Sequence, residues 1–180
     1  MRTRKAVVTD AREVHDLIAQ FSGDGTLLPR RYNEICENIR DFVVVEHRGR
    51  ILACGALHIY GPHLAEVRSI AVTPEAQGRG AGQRVVKTLL VEAERHQITR
   101  VCLFTRIPEF FGRLGFITSQ REELPDKMFK DCVACPRLHC CDEIAMVLAH
   151  SAAERAAARR DYRSASNGEA RRLVQIARAQ

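Results

Sequence analysis

No apolar run in these 180 residues approaches the ~20 needed to span a bilayer, which argues against a helical membrane protein. Met1-Arg-Thr-Arg-Lys5 carries positive charge but no long apolar stretch follows it, so no secretory leader is expected and the expected location is cytoplasmic. A secreted disulfide scaffold is also missing. The seven cysteines are an odd number, and Cys36, Cys54 and Cys102 sit inside periodic apolar segments, where cysteine acts as a small hydrophobe. There is no internal repeat. A pronounced basic footprint is absent too, despite the net charge of +6. Residues 151–180 hold seven Arg against Glu154, Asp161 and Glu169, a net +4 that leaves only +2 for the first 150 residues. No nucleic-acid partner and no membrane partner are therefore expected.

What remains is an ordinary globular composition, 46% hydrophobic and 28% charged, with length for one substantial core. Lys5–Thr9 reads as a strand. Asp10 and Glu13 have capping-box spacing ahead of Val14, Leu17, Ile18 and Phe21, one face of a helix. Tyr32, Ile35, Cys36 and Ile39 predict a second helix. Phe42–Glu46 and Ile51–Tyr60 flank Arg48-Gly49-Arg50 as a hairpin, and Glu66–Val72 is a further strand stopped by Thr73-Pro74. A helix is expected over Gly80–His96, then a strand at Arg100–Phe104, a short helix at Pro108–Leu114, and strands at Phe116–Thr118 and Glu143–Leu148. The order predicts a mixed α/β domain over residues 1–150. Residues 151–180, rich in Ala and Arg, read as a partly helical or mobile tail.

The most informative segment is Gln77-Gly78-Arg79-Gly80-Ala81-Gly82, between a strand and a helix. Glycines leave backbone N–H groups uncovered and a helix start adds partial positive charge, which together suit a pyrophosphate. Arg79 and Arg84 add charge. A P-loop needs Gly before Lys-Ser/Thr, but Lys87-Thr88 follows Val86; a Rossmann turn needs a third Gly where Gln83 stands. The pattern left is Gln-x-x-Gly-x-Gly at Gln77, Gly80 and Gly82. It resembles the acetyl-coenzyme A signature of the GNAT superfamily. Glu66-Val-Arg-Ser-Ile-Ala-Val72 with Thr-Pro-Glu after it, and Phe110-Phe-Gly-Arg-Leu-Gly-Phe116, resemble that family's neighbouring segments.

The resemblance implies the GNAT fold, a mixed, mostly antiparallel sheet splayed at its centre with flanking helices. It implies acetyl-CoA as co-substrate, with Ile70, Ala71 and Val72 pairing the pantetheine arm, Gln77, Gly78, Arg79, Gly80, Ala81 and Gly82 at the pyrophosphate, and Phe111 as a further cofactor contact. Within the superfamily the chain is most similar to short bacterial N-acetylglutamate synthases, through Leu27-Leu-Pro-Arg-Arg31, Glu123-Leu-Pro-Asp-Lys127 and Asp131-Cys-Val-Ala-Cys-Pro136. That likeness implies acetylation of the α-amine of L-glutamate, the first step of arginine biosynthesis. No amino-acid-kinase segment precedes these motifs, so arginine feedback through one is not expected.

A substrate with two carboxylates needs cationic partners, and Arg30, Arg31, Arg68 and Lys127 are the candidates. Its amine must lose a proton before attack, which nominates Glu66 as general base. GNAT enzymes often carry a Tyr acid in the aromatic segment, but Phe110 and Phe111 stand there. The acid is unassigned, with Ser69, a backbone amide or a water as substitutes. Cys132-x-x-Cys135 with Cys140 and Cys141 has a metal-knuckle element, yet the second pair is adjacent and tightly spaced, so no metal is assigned. Two other readings stand beside the glutamate one: a GNAT acetyltransferase for another small amine, and a GNAT-fold acetyl-CoA sensor. Oligomeric state is open, a homodimer included.

Overall fold

The computed structural model describes residues 1–23 and 25–149, in two compact units divided after Val101. The 151–180 tail lies outside the described residues. Among the described residues no helix is long and apolar enough to cross a membrane.

The first unit is a four-stranded antiparallel meander: β1 (Arg2–Lys5), β2 (Phe42–His47), β3 (Arg50–Gly61) and β4 (Leu64–Val72). The β2–β3 hairpin closes where the sequence predicted it, with Arg48 and Gly49 both at positive φ (51° and 76°). Val43, Val44 and Val45 are fully buried, so β2 is covered on both faces. On one face lie α1 (Ala11–Gln20) and α2 (Tyr32–Glu37), whose Val14, Leu17, Ile18 and Ile35 pack with Phe42, Val44, Cys54, Ala56 and Ala71. On the other lies α3 (Ala81–Arg95), whose buried stripe is Val85, Val86, Leu89 and Ala93; Leu90 is only half-buried. Each such aliphatic side chain contributes about 1.5–3 kcal/mol on burial.

The entry to α1 departs from the capping-box expectation, and β1 ends sooner than Lys5–Thr9. Val8–Asp10 forms a 3₁₀ turn. Asp10 does not cap the helix with its side chain. Its carboxylate instead accepts the Val7 N–H at 2.8 Å and two N–H bonds from Arg4 at 2.6 and 3.0 Å. Arg4 and Val7 outcompete the helix amides because one is a charged, bidentate donor and the other is close in sequence. Glu13 reaches across to the Ile51 N–H at 2.6 Å, tying α1 to the start of β3.

A bulge interrupts β3–β4. Cys54 pairs with Ala71 and Ala56 with Arg68, so Gly55 faces two residues, Ser69 and Ile70. Ser69 takes φ +55°. The extra residue reverses the alternation: Arg68 and Ala71 share the α1/α2 face, and Ile70 turns towards α3. A Cβ on Gly55 would stand 2.3 Å from Ile70 Cδ1 and 2.7 Å from Val85 Cγ1, so glycine is needed there for space.

The second unit holds β5 (Val101–Thr105) from Cys102 onward, α4 (Pro108–Gly112), β6 (Phe116–Thr118), the one-turn α5 (Pro125–Lys127), a π-helix at Met128–Cys132 and β7 (Ile144–Leu148). β7 pairs antiparallel with both β5 and β6. Phe111, Leu114, Phe116, Leu124 and Met146 are buried in its core.

Candidate functional site

Two clusters of the nominated residues lie on the first unit. The first is the turn from β4 into α3. Gly78 and Gly80 have φ of +71° and +79°, and a Cβ at either would meet no neighbour. Their glycines are therefore demanded by backbone conformation, not by crowding. The Gln77 side-chain amide donates to the Val72 carbonyl at 3.3 Å and ties the loop to the strand end. The Arg84 N–H donates to the Gly80 carbonyl at 3.0 Å, the first bond of the helix, so the N–H groups of Ala81, Gly82 and Gln83 precede the ladder. Such amides at the positive end of a 15-residue helix form an anion cradle. Arg79 is exposed on this loop, and an adjoining groove of about 410 Å³ is lined by His47, Arg48, Arg50, Glu75 and Arg79. The residues present fit a pyrophosphate.

The second cluster lies on the α1/α2 face. A narrow cleft is lined by Arg30, Glu34, Asn38, Asp41, Arg68 and Ser69, with room of about 10 Å³, no more than one water. Arg30, just ahead of α2, donates to Glu34 in its first turn at 2.6 Å. Burial holds the Asp41 carboxyl above its ordinary value, with His58 and Arg68 opposing that shift. Glu66 is 2% exposed. The Tyr60 hydroxyl donates to Glu66 Oε2 at 3.0 Å, and Arg68 Nη1 lies 3.9 Å from the same oxygen. His58 sits directly across from Glu66 in the register and packs edge-on to the Tyr60 ring at 4.8 Å. A buried carboxylate with a hydroxyl donor and a nearby guanidinium is held in one orientation and keeps its charge compensated.

The structure thus brings Arg30, Arg68 and Ser69 to one cleft, with Glu66 on the strand beneath it. Arg31 differs: it is exposed at the N-cap position of α2, where its carbonyl accepts the Ile35 N–H at 3.1 Å. Ile70, Ala71 and Val72 occupy the last three positions of β4, Ile70 within the bulge and the other two after it. In the second unit, Lys127 Nζ pairs with Asp131 at 3.1 Å and stands 5.6 Å from the Phe104 ring centroid. Phe111 is buried there, edge-to-face with Phe110 and Phe116. The sequence reading missed Glu34, Asn38, Asp41, His58, Tyr60 and Gly55. Only Gly55, a glycine inside a strand pattern, carried a usable signal. Among the described residues, no group of three or more His, Cys, Asp or Glu is arranged to hold a metal ion.

The model of the Acetyltransferase (GNAT) family matches residues 11–116. An uncharacterized N-acetyltransferase of Chlorobaculum tepidum is 35% identical over 144 residues, 80% of this chain and 93% of the relative. An amino-acid acetyltransferase of Mycobacterium tuberculosis is 32% identical over 131 residues, 71% of this chain and 75% of the relative. Among solved structures, N-acetylglutamate synthase from Neisseria gonorrhoeae complexed with coenzyme A and N-acetyl-glutamate superposes with TM-score 0.75 at 27% identity. It covers 83% of this chain, which spans only 35% of that protein. A Mycobacterium tuberculosis protein solved in complex with CoA gives TM-score 0.72 at 29% identity over 82% of this chain and 98% of its own. With its loop geometry and a family match over more than half its length, this chain belongs to the GNAT family, an α/β N-acetyltransferase with acetyl-CoA as its co-substrate.

Proposed function

We propose that this N-acetyltransferase acetylates the α-amine of L-glutamate, in arginine biosynthesis. The observation that carries the reading is the cleft on the α1/α2 face, where Arg30 and Arg68 converge beside Ser69 and above Glu66. Arg30 and Arg68 are the groups of this cleft that can take an acceptor carboxylate in bidentate geometry, and Glu34, Asp41 and Glu66 supply their counter-charge until it enters. The relatives named amino-acid acetyltransferase support the same class of acceptor.

Acetyl-CoA supplies the acetyl group already activated as a thioester. The chain's own residues do the rest. The amides of Gly78, Gly80, Ala81 and Gly82, with Gln77 and Arg79, hold the pyrophosphate, and the backbone of Ile70, Ala71 and Val72 pairs the pantetheine arm. Arg30, Arg31 and Arg68 neutralise the acceptor's carboxylates. Lys127, a residue of the second unit, is proposed as a further carboxylate contact, and Phe111 as a cofactor contact, on resemblance to the family. Glu66, oriented by Tyr60, takes the proton that an amino-acid ammonium must lose before it attacks the carbonyl carbon. Ser69 or a backbone amide at the bulge stabilises the departing thiolate, which needs modest help because thiols ionise near ~8.5.

The cleft has little free volume with Arg30 held by Glu34, so acceptor entry requires that pair to open. The test is a thiol-release assay with acetyl-CoA across a panel of amino acids and polyamines, with the product identified by mass. Turnover of L-glutamate, and loss of glutamate saturation in Arg31→Ala, are expected. Turnover of polyamines alone overturns the proposal, and cofactor binding without any turnover points to a sensor.

A further inference from the structure

The proposed acetyl transfer assigns no role to the four clustered cysteines of the second unit. The structure records them as thiols: Cys132, Cys135 and Cys141 half-buried, Cys140 exposed. We propose that Cys132 and Cys135 form a reversible dithiol–disulfide couple, a redox-modification site whose closure stiffens the segment carrying Lys127 and Asp131.

Geometry selects this pair. The Cys135 N–H donates to the Cys132 carbonyl at 3.0 Å, closing a four-residue turn. A turn of that kind holds its end Cα atoms within about 7 Å, and a disulfide needs roughly 4.4–6.8 Å. Cys140 and Cys141 are neighbours in sequence, so a trans peptide fixes their Cα atoms about 3.8 Å apart, below that range. Of the remaining three, Cys54 and Cys102 are fully buried, and burial pushes the Cys54 thiol up to about 12, which keeps it protonated and inert.

The turn continues directly from the π-helix that carries Asp131. Cys132 is the last residue of the π-helix Met128–Cys132, whose i→i+5 bond runs from the Val133 N–H to the Met128 carbonyl at 3.1 Å. Short π segments are rare and their hydrogen bonding is local. Asp131, next to Cys132, is the ion partner of Lys127. A covalent ring across residues 132–135 fixes the end of that segment.

The oxidant is a hydroperoxide. One thiolate attacks the O–O bond and becomes a sulfenic acid as the alcohol or water leaves. The second thiol then attacks that sulfur, forms the S–S bond and expels water. Two thiols are oxidised to one disulfide, the peroxide is reduced, and a dithiol reverses the step. The consequence for catalysis rests on Lys127 serving the acceptor; the redox chemistry does not, and its readouts are independent of activity.

The full chain is treated with hydrogen peroxide at one equivalent, alkylated, and mapped by peptide mass; amide exchange is followed in parallel. Expected are loss of two hydrogens at a Cys132–Cys135 link and exchange over residues 128–135 slowed about threefold or more. Dithiothreitol reverses both, Cys140→Ser leaves both intact, and Cys132→Ser abolishes both. Four outcomes overturn the proposal: free alkylation of Cys132 and Cys135 after peroxide, a sulfinic acid or a link to Cys140 or Cys141, unchanged exchange in the linked form, or stoichiometric zinc that holds the thiols.

Discussion

The two faces of the first unit's sheet carry two candidate sites of different construction. The α3 side ends in a loop built from backbone: Gly78 and Gly80 at positive φ and the leading amides of a helix. The α1/α2 side has a cleft built from side chains: Arg30, Glu34, Asp41 and Arg68 over a buried Glu66. A backbone site is specified by glycine placement, so it is written in a contiguous hexapeptide. A side-chain site is assembled from α2, β3 and β4, and no short motif encodes it. The cofactor and the acceptor are therefore read with very different ease from one chain.

The comparison predicts different failures on the two faces. The largest effect belongs to the buried carboxylate: Glu66→Gln should lower kcat about 100-fold or more, with the KM for acetyl-CoA little changed. A loss below tenfold would reduce Glu66 to a structural partner of Tyr60 and Arg68. Arg68→Ala should raise the KM for glutamate about 10- to 100-fold, because it removes a charged contact and leaves Glu66 less compensated. An equal rise in the KM for acetyl-CoA would show that the two faces are not separable.

On the cofactor side, Gly80→Ala forces a side chain into φ +79°, which costs about 1–2 kcal/mol. A roughly tenfold weaker acetyl-CoA affinity is expected, read by titration calorimetry, with glutamate saturation unchanged. The smallest effect concerns the frame. Asp10 is held below its ordinary value chiefly by the Arg4 hydrogen bond, against its own desolvation. A lowered carboxyl stabilises the fold above the unfolded-state value and loses that contribution as pH falls through the folded one. Asp10→Asn should therefore cost about 1 kcal/mol at pH 7 in urea unfolding, and the difference from the parent should shrink below about pH 4. A difference constant down to pH 3 would assign the loss to hydrogen bonding alone.

The same contrast governs what was legible beforehand. The hairpin at Arg48–Gly49, the strand ending at Val72 and the helix start after Gly80 follow from local rules, and the structure has them there. Asp10 and Glu13 matched a capping pattern, but Arg4 on β1 and Ile51 on β3 claimed their carboxylates. The apolar pattern of Glu66–Val72 reads as a regular strand and does not locate the bulge at Ser69; only the family resemblance implies a bulge where the sheet splays, and the register places it opposite Gly55. Tyr60 and His58 were hidden for a related reason, since only the β3–β4 register sets them beside Glu66.

The central claim is that the side-chain face selects an anionic amine. The most direct measurement is kcat/KM for L-glutamate against L-glutamine, whose side chain lacks the charge, and against spermidine, with acetyl-CoA saturating. The account predicts glutamate favoured over glutamine by about tenfold or more, as expected for one charged hydrogen-bonded contact, and no detectable spermidine turnover. Spermidine turned over as well as glutamate would contradict it.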